Sequence, residues 1–161
     1  MLTFEKIDQL VEYLPNGELV RKITTSPRAI QATIVGNVGK RGYKYFSVNG
    51  KKYYNHRIIW FLHHKQMPDY IDHIDGNKLN NKIENLRICN LTENLCNSSI
   101  RKDNTSGYKG VSWFKPYKKW KARINIYGKE YHLGYFSKKN EAIEVAKQAR
   151  LNIHKEFARH A

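Results

Sequence analysis

The chain predicts an α+β fold built from two small units, and three observations predict it. Tyr70 and Ile71 run into Asp72-His73, a loop rich in Asp, Gly and Asn follows, and a second apolar-polar run from Ile83 to Leu91 returns before Thr92 opens a helix-like segment. Further on, residues 108–113, 120–127 and 129–136 alternate like three strands, and residues 138–157 carry a helical period. Between the two lies a polar, turn-prone stretch without periodicity from Ile100 to Gly107. The division expected is 1–98, a linker over 99–107, and 108–161. With 161 residues, 40% of them hydrophobic, the chain supports modest cores and not one large one.

Charge narrows the function. The chain has 29 Lys and Arg against 14 acids, for a net +15, and a pI near 9.8. On a chain this small such an excess calls for a polyanion, with double-stranded DNA as the leading partner. Residues 101–161 hold 15 Lys and Arg against 5 acids, so most of the excess lies in the second unit. The longest apolar run, Ile58 to Leu62, is far short of a membrane span, and Met-Leu-Thr-Phe-Glu-Lys lacks signal-peptide organisation. The expectation is an intracellular protein, monomeric, with no membrane and no small-molecule substrate. Cys89 and Cys96 form no Cys-x-x-Cys, so both read as reduced structural residues, not zinc ligands.

Along residues 1–54, Pro15-Asn16-Gly17 separates two short apolar runs, and Asn49-Gly50 separates Tyr43–Val48 from Lys52–Tyr54, which predicts two hairpins. Residues 26–42 read as a mobile loop between them. Asn55 is the expected N-cap of a short buried helix over His56–Lys65, closed by Met67-Pro68. His63 and His64 on that helix read as a solvated or DNA-facing edge, not as metal ligands.

The chemistry concentrates at Asp72, His73 and Asn94. A carboxylate and a carboxamide oxygen suit Mg²⁺, which prefers oxygen ligands and keeps several waters. An imidazole beside them titrates near neutral pH and is able to take a proton from water. Taken singly, Asp-His before a Gly-Asn loop is an ordinary hairpin, since Asp, Asn and Gly crowd any turn. The conjunction with Asn85-Leu86-Arg87 and an Asn on the following helix points to a nuclease instead. Asn77, Asn80, Asn81, Asn90 and Asn97 read as turn and cap residues, with Asn97 either that or a phosphate contact.

Asp72-His73, Asp75-Gly76-Asn77, Asn80-Asn81, Asn85-Leu86-Arg87, Thr92 and Asn94 together resemble the HNH endonucleases, more narrowly the homing type of phages and introns. The resemblance implies a ββα-metal unit that cuts DNA. It makes His73 the general base, Asp72 and Asn94 ligands of a divalent metal (Mg²⁺ or Mn²⁺), and Asn85 the residue that ties the loop and holds the histidine. Asn94 departs from the commoner His ligand. Arg57, in a His-Arg lead-in of the same kind, and Arg87 become candidate DNA contacts.

In the second unit, Ala142, Ala146, Ala149, Ile153 and Phe157 recur every three or four residues and give a helix one face to lay on the sheet. Tyr108-Lys109-Gly110-Val111, Lys119-Trp120, Leu133-Gly134-Tyr135-Phe136 and Asn140-Glu141-Ala142 resemble the AP2 DNA-binding domain, whose sheet enters the major groove. That implies DNA contacts from Lys109, Trp113, Lys118, Trp120, Lys121 and Arg123, with Tyr131 a further candidate. Lysines predominate, which favours grip on the backbone over base reading, and Trp120 is equally a core residue. A DNA-binding protein with a non-catalytic HNH scaffold is the alternative function, and RNA a third partner.

Overall fold

The computed structural model describes residues 4–97, 100 and 102–154. It divides into two compact units, Met1–Ile88 and Cys89–Ala161, so the compact division comes ahead of the one expected from composition.

In the first unit a short helix, α1 (Phe4–Asp8), leads into the hairpin β1 (Val11–Tyr13) and β2 (Leu19–Arg21), paired Val11 to Arg21. The expected loop over 26–42 instead supplies two strands of two residues each: β3 (Ile34–Val35) beside β2, and β4 (Asn37–Val38) beside the next strand. Gly36 carries the chain from one sheet to the other at φ +122°, and a Cβ there would stand 2.7 Å from the Asn55 amide. Strands β5 (Lys44–Val48) and β6 (Lys51–Tyr54) form the second predicted hairpin. Asn49 and Gly50 both adopt positive φ in its turn, the geometry Asn-Gly favours.

Helix α2 (Asn55–His64) follows directly. Asn55 is not its cap: Tyr54 holds that position, and Asn55 is fully buried, its amide donating to the Val35 carbonyl. Ile58, Ile59 and Trp60 on α2 join Val11, Leu19, Phe46 and Tyr53 in the core. His63 and His64 are both exposed, with His64 stacked on Trp60 and His63 edge-on against Tyr13. Strand β7 (Tyr70–His73) then pairs with β8 (Leu86–Cys89), the loop between them closing in a 3-10 turn at Ile83–Asn85.

The second unit opens with helix α3 (Leu91–Asn97). Its cap is Asn90: the Asn90 carboxamide accepts from the Glu93 amide and the Glu93 carboxylate accepts from the Asn90 amide, a reciprocal capping box one turn before Asn94. Within the expected linker, Asn104, Ser106 and Tyr108 are tied together by hydrogen bonds, and Ser106 is buried.

Strands β9 (Val111–Phe114), β10 (Lys119–Ile126) and β11 (Lys129–Phe136) form an antiparallel sheet in the order β11-β10-β9. Tyr127 and Gly128 turn at positive φ as the sequence predicts. Helix α4 (Lys139–His154) lies on this sheet through Ala142 and Ala146, which meet Val111 and Ala122 in a core of small residues. Ile153 is exposed and Arg150 is buried, so the helix face turns away from the predicted one in its last turns. Phe157 lies outside the described residues.

Candidate active site

Asp72 and His73 end β7, and both are buried. The strand is short because the loop that follows is knotted to itself by side chains. Asp75 accepts from the Asn77 amide at 2.7 Å, from the Asn80 carboxamide at 2.7 Å and from the Asn85 carboxamide at 3.0 Å. These bonds hold its carboxyl below the usual range despite the opposing effect of partial burial. Asn85 also accepts from the Asp75 amide and donates to the Asn80 carbonyl. Asn85 thus ties the loop by its own three hydrogen bonds.

The hydrogen bond to His73 comes from a different residue. Its Nε2 lies 3.0 Å from the Oδ1 of Asn81, which is 1% exposed. A carboxamide oxygen only accepts, so Nε2 carries the proton and the basic lone pair of the neutral ring sits on Nδ1. Burial lowers the His73 pKa, opposed by the Asn81 bond and by Asp72 and Asp75, which favours the neutral ring. His56 packs edge-on against it, 5.2 Å between centroids, and Tyr43 lies 5.9 Å away on another side. Burial, with repulsion from His73 and Arg57, pushes His56 down to about 3. Asn81 belongs to the motif and His56 to its His-Arg lead-in, neither with a contact to His73 implied there, and Tyr43 carries no signal; the fold brings all three to the ring.

Asp72 faces Arg87 across the β7–β8 pair. The guanidinium donates through Nε at 3.0 Å and Nη2 at 2.9 Å, both to Oδ2. Arg57 donates to the carbonyls of Pro68 and Asp69, bracing the approach to β7. The structure therefore places both arginines in the frame of the site. Among the described residues no three His, Cys, Asp or Glu gather as a metal cluster. Asp72 lies in the first unit, and Asn94, half-buried on α3, in the second. An all-oxygen set of one or two groups suits a hard divalent cation.

In the second unit, alternation along β10 separates two faces. Trp120 and Ala122 pack with α4, Ile124 of the same parity is buried, and Trp120 lies under the Lys139 ammonium. Trp113, its cross-strand partner, meets it edge-on at 5.3 Å. By strand parity both indoles share the face of Val111 and Ala122, and Trp113 is 45% exposed on it. The outer face carries Lys119, Lys121 and Arg123, and the last two both pair with Glu130. Phe114, Tyr117, His132 and Tyr135 form an aromatic cluster, of which only Tyr135 belongs to a sequence motif. Lys118 closes the preceding turn in a left-handed conformation, and Lys109 precedes Gly110 at the start of β9.

A family model of HNH endonucleases matches residues 53–96, the stretch that holds β7, the Asn-rich loop, β8 and nearly all of α3. The class is therefore that of proteins with an HNH endonuclease domain. The chain belongs to the same family as Protein 3.8 of Escherichia phage T7, to which it is 34% identical over 125 residues, covering 74% of this chain and 98% of that protein. No solved structure matches it significantly. No helix among the described residues is long and apolar enough to cross a membrane.

Proposed function

We propose that this protein is a metal-dependent DNA endonuclease of homing type, in which His73 is the general base, Asp72 and Asn94 hold Mg²⁺ or Mn²⁺, and an AP2-like second unit grips duplex DNA. The observation that carries the reading is His73 itself. It is buried, adjacent to a carboxylate and held by a loop carboxamide, and its burial favours the basic, neutral form of the ring. A histidine that merely fills a core has no need of a second-strand arginine fixing the carboxylate beside it.

Each residue then has a task. His73 takes the proton of the attacking water at Nδ1. Asn81 keeps the ring in the reactive tautomer, and Asn85 with Asp75 keeps the loop that carries Asn81 in shape. Arg87 fixes the orientation of the Asp72 carboxylate. When bound, the metal offsets the charge that builds on the phosphate and the leaving oxygen. In the second unit Lys119, Lys121 and Arg123 on the outer face supply phosphate contacts, and Trp113 and Trp120 support the sheet from the other side.

The test is supercoiled plasmid incubated with the protein in Mg²⁺, in Mn²⁺ and in chelator. Nicked or linear product in the metals and none in chelator is the expected result, with His73→Ala inert yet still bound to DNA. Equal cutting by the His73→Ala protein would overturn the assignment of the base.

A further inference from the structure

The outer face of the β4-β5-β6 sheet carries a row of phenols that ends at His73. Strand register separates this row from the core: Phe46 and Tyr53 are partners and lie inside, so their neighbours Tyr45 and Tyr54, also partners, lie on the opposite face. Tyr43 has the same parity as Tyr45. The rings are continuous: Tyr45 to Tyr54 is 6.5 Å, Tyr54 to Tyr43 is 5.8 Å and Tyr43 to His73 is 5.9 Å between centroids. Tyr54 is 38% exposed, and Tyr43 and Tyr45 are half-buried, so the row is a surface and not an interior.

An ammonium stands at each end. Lys52 lies 4.7 Å over the Tyr45 ring, and Lys78 lies 4.6 Å over the Tyr43 ring while donating to the Arg41 carbonyl. Among the described residues neither has a carboxylate partner, unlike Lys44 on the same strand pair, which is bound to Glu18. Sheet cover alone asks only for hydrocarbon. Phenols flanked by uncompensated cations offer ring faces to deoxyribose, hydroxyls to phosphate oxygens and positive charge to the backbone.

We infer that Tyr45, Tyr54 and Tyr43, with Lys52 and Lys78, seat the sugar–phosphate backbone of the DNA strand being cut and lead it to His73. The inference rests on the endonuclease reading for the role of His73, and on the row's own chemistry for the contact. Lys78 belongs to the loop after Asp-His, so the far end of the seat is built into the element that carries the base.

The experiment uses the full chain, a duplex of fixed sequence and its single strand, with binding measured in chelator across a salt series. Lys52→Gln is compared with Lys51→Gln, which removes the same charge one residue away on the opposite face. Lys52→Gln is expected to weaken duplex binding several-fold and to reduce the slope of log affinity against log salt by about 0.9, one phosphate's worth. Lys51→Gln is expected to do markedly less. In metal, Tyr45→Phe, which keeps the ring and removes only the hydroxyl, is expected to raise KM several-fold with kcat within about twofold of the parent, the signature of binding lost equally from substrate and transition state. Equal effects of the two lysine variants, or loss confined to the single strand, would overturn the seat. Binding in chelator reads the seat even if no cutting is ever observed, so its failure and the failure of the endonuclease reading are separable.

Discussion

Asn81 Oδ1 accepts the Nε2 proton of His73 across 3.0 Å, joining a loop carboxamide to the imidazole at the end of β7. Asn81→Ala removes the acceptor without touching Asp72. The expected outcome is a fall in kcat of about 10- to 100-fold, the scale of a misoriented catalytic group, with DNA affinity in chelator unchanged. A steady-state series on one duplex checks it. Asn85→Ala is expected to cost stability as well, because three of its hydrogen bonds close the loop.

The Asp72–Arg87 pair is largely buried, with side chains 7% and 14% exposed. Removing one partner of a buried pair strips a charge of its main compensation, so Arg87→Met is expected to destabilise the protein by up to about 3–5 kcal/mol. Asp72→Asn combined with Arg87→Met is expected to recover most of that loss and none of the cutting. Denaturant melts of the two variants beside plasmid assays decide it.

His56 has a folded pKa of about 3 against an ordinary value of 6.5. A depressed imidazole is protonated in the unfolded chain first, so the stability it contributes is present above about pH 6.5 and is lost as pH falls toward 3. At pH 5 the loss from this group is about 2 kcal/mol, taken as the difference in pH below 6.5 at 1.36 kcal/mol per unit. His56→Phe, whose ring does not titrate, is expected to flatten the acid limb of the stability curve between pH 6.5 and 4. An unchanged acid limb would show that the ring is not buried in neutral form.

On the outer face of the second sheet, Glu130 holds both Lys121 and Arg123. Glu130→Gln releases two cations toward phosphate and is expected to tighten DNA binding and steepen its salt dependence. Lys121→Ala with Arg123→Ala is expected to do the reverse, by up to about 0.9 in slope for each charge that meets phosphate. Trp120→Ala, in contrast, is expected to unfold the unit, since its indole packs toward α4.

Gly110 opens β9 at φ +78°, and a Cβ there would stand 2.2 Å from the Arg123 carbonyl. Gly110→Ala is therefore expected to cost at least about 1–3 kcal/mol from backbone strain, with more from the clash. Its thermal midpoint relative to the parent measures this.

The amino-acid sequence by itself determined the features that short-range physics controls. Asn49-Gly50 and Tyr127-Gly128 turn where their backbone preferences say, α2 follows its apolar period, and the capping box at Asn90 and Glu93 is written in residues three apart. The Asp-His pair, the loop residue Asn85 and the family were legible for the same reason, because they are carried by a contiguous stretch. Tertiary structure decided what depends on distant partners. Strands β3 and β4 are two residues each, too short for any alternation, and exist because β2 and β5 offer edges to pair with. Which of the loop asparagines meets His73 depends on how Asp75 gathers Asn77, Asn80 and Asn85, which turns Asn81 inward. Arg87 looked free to meet DNA until β7 and β8 paired and set it against Asp72. Trp120 was open to either face until the strand's parity placed Ala122 on α4 and carried the indole with it. In each case a period or a motif names the residue, and only the closing of loops and the packing of faces says what it touches.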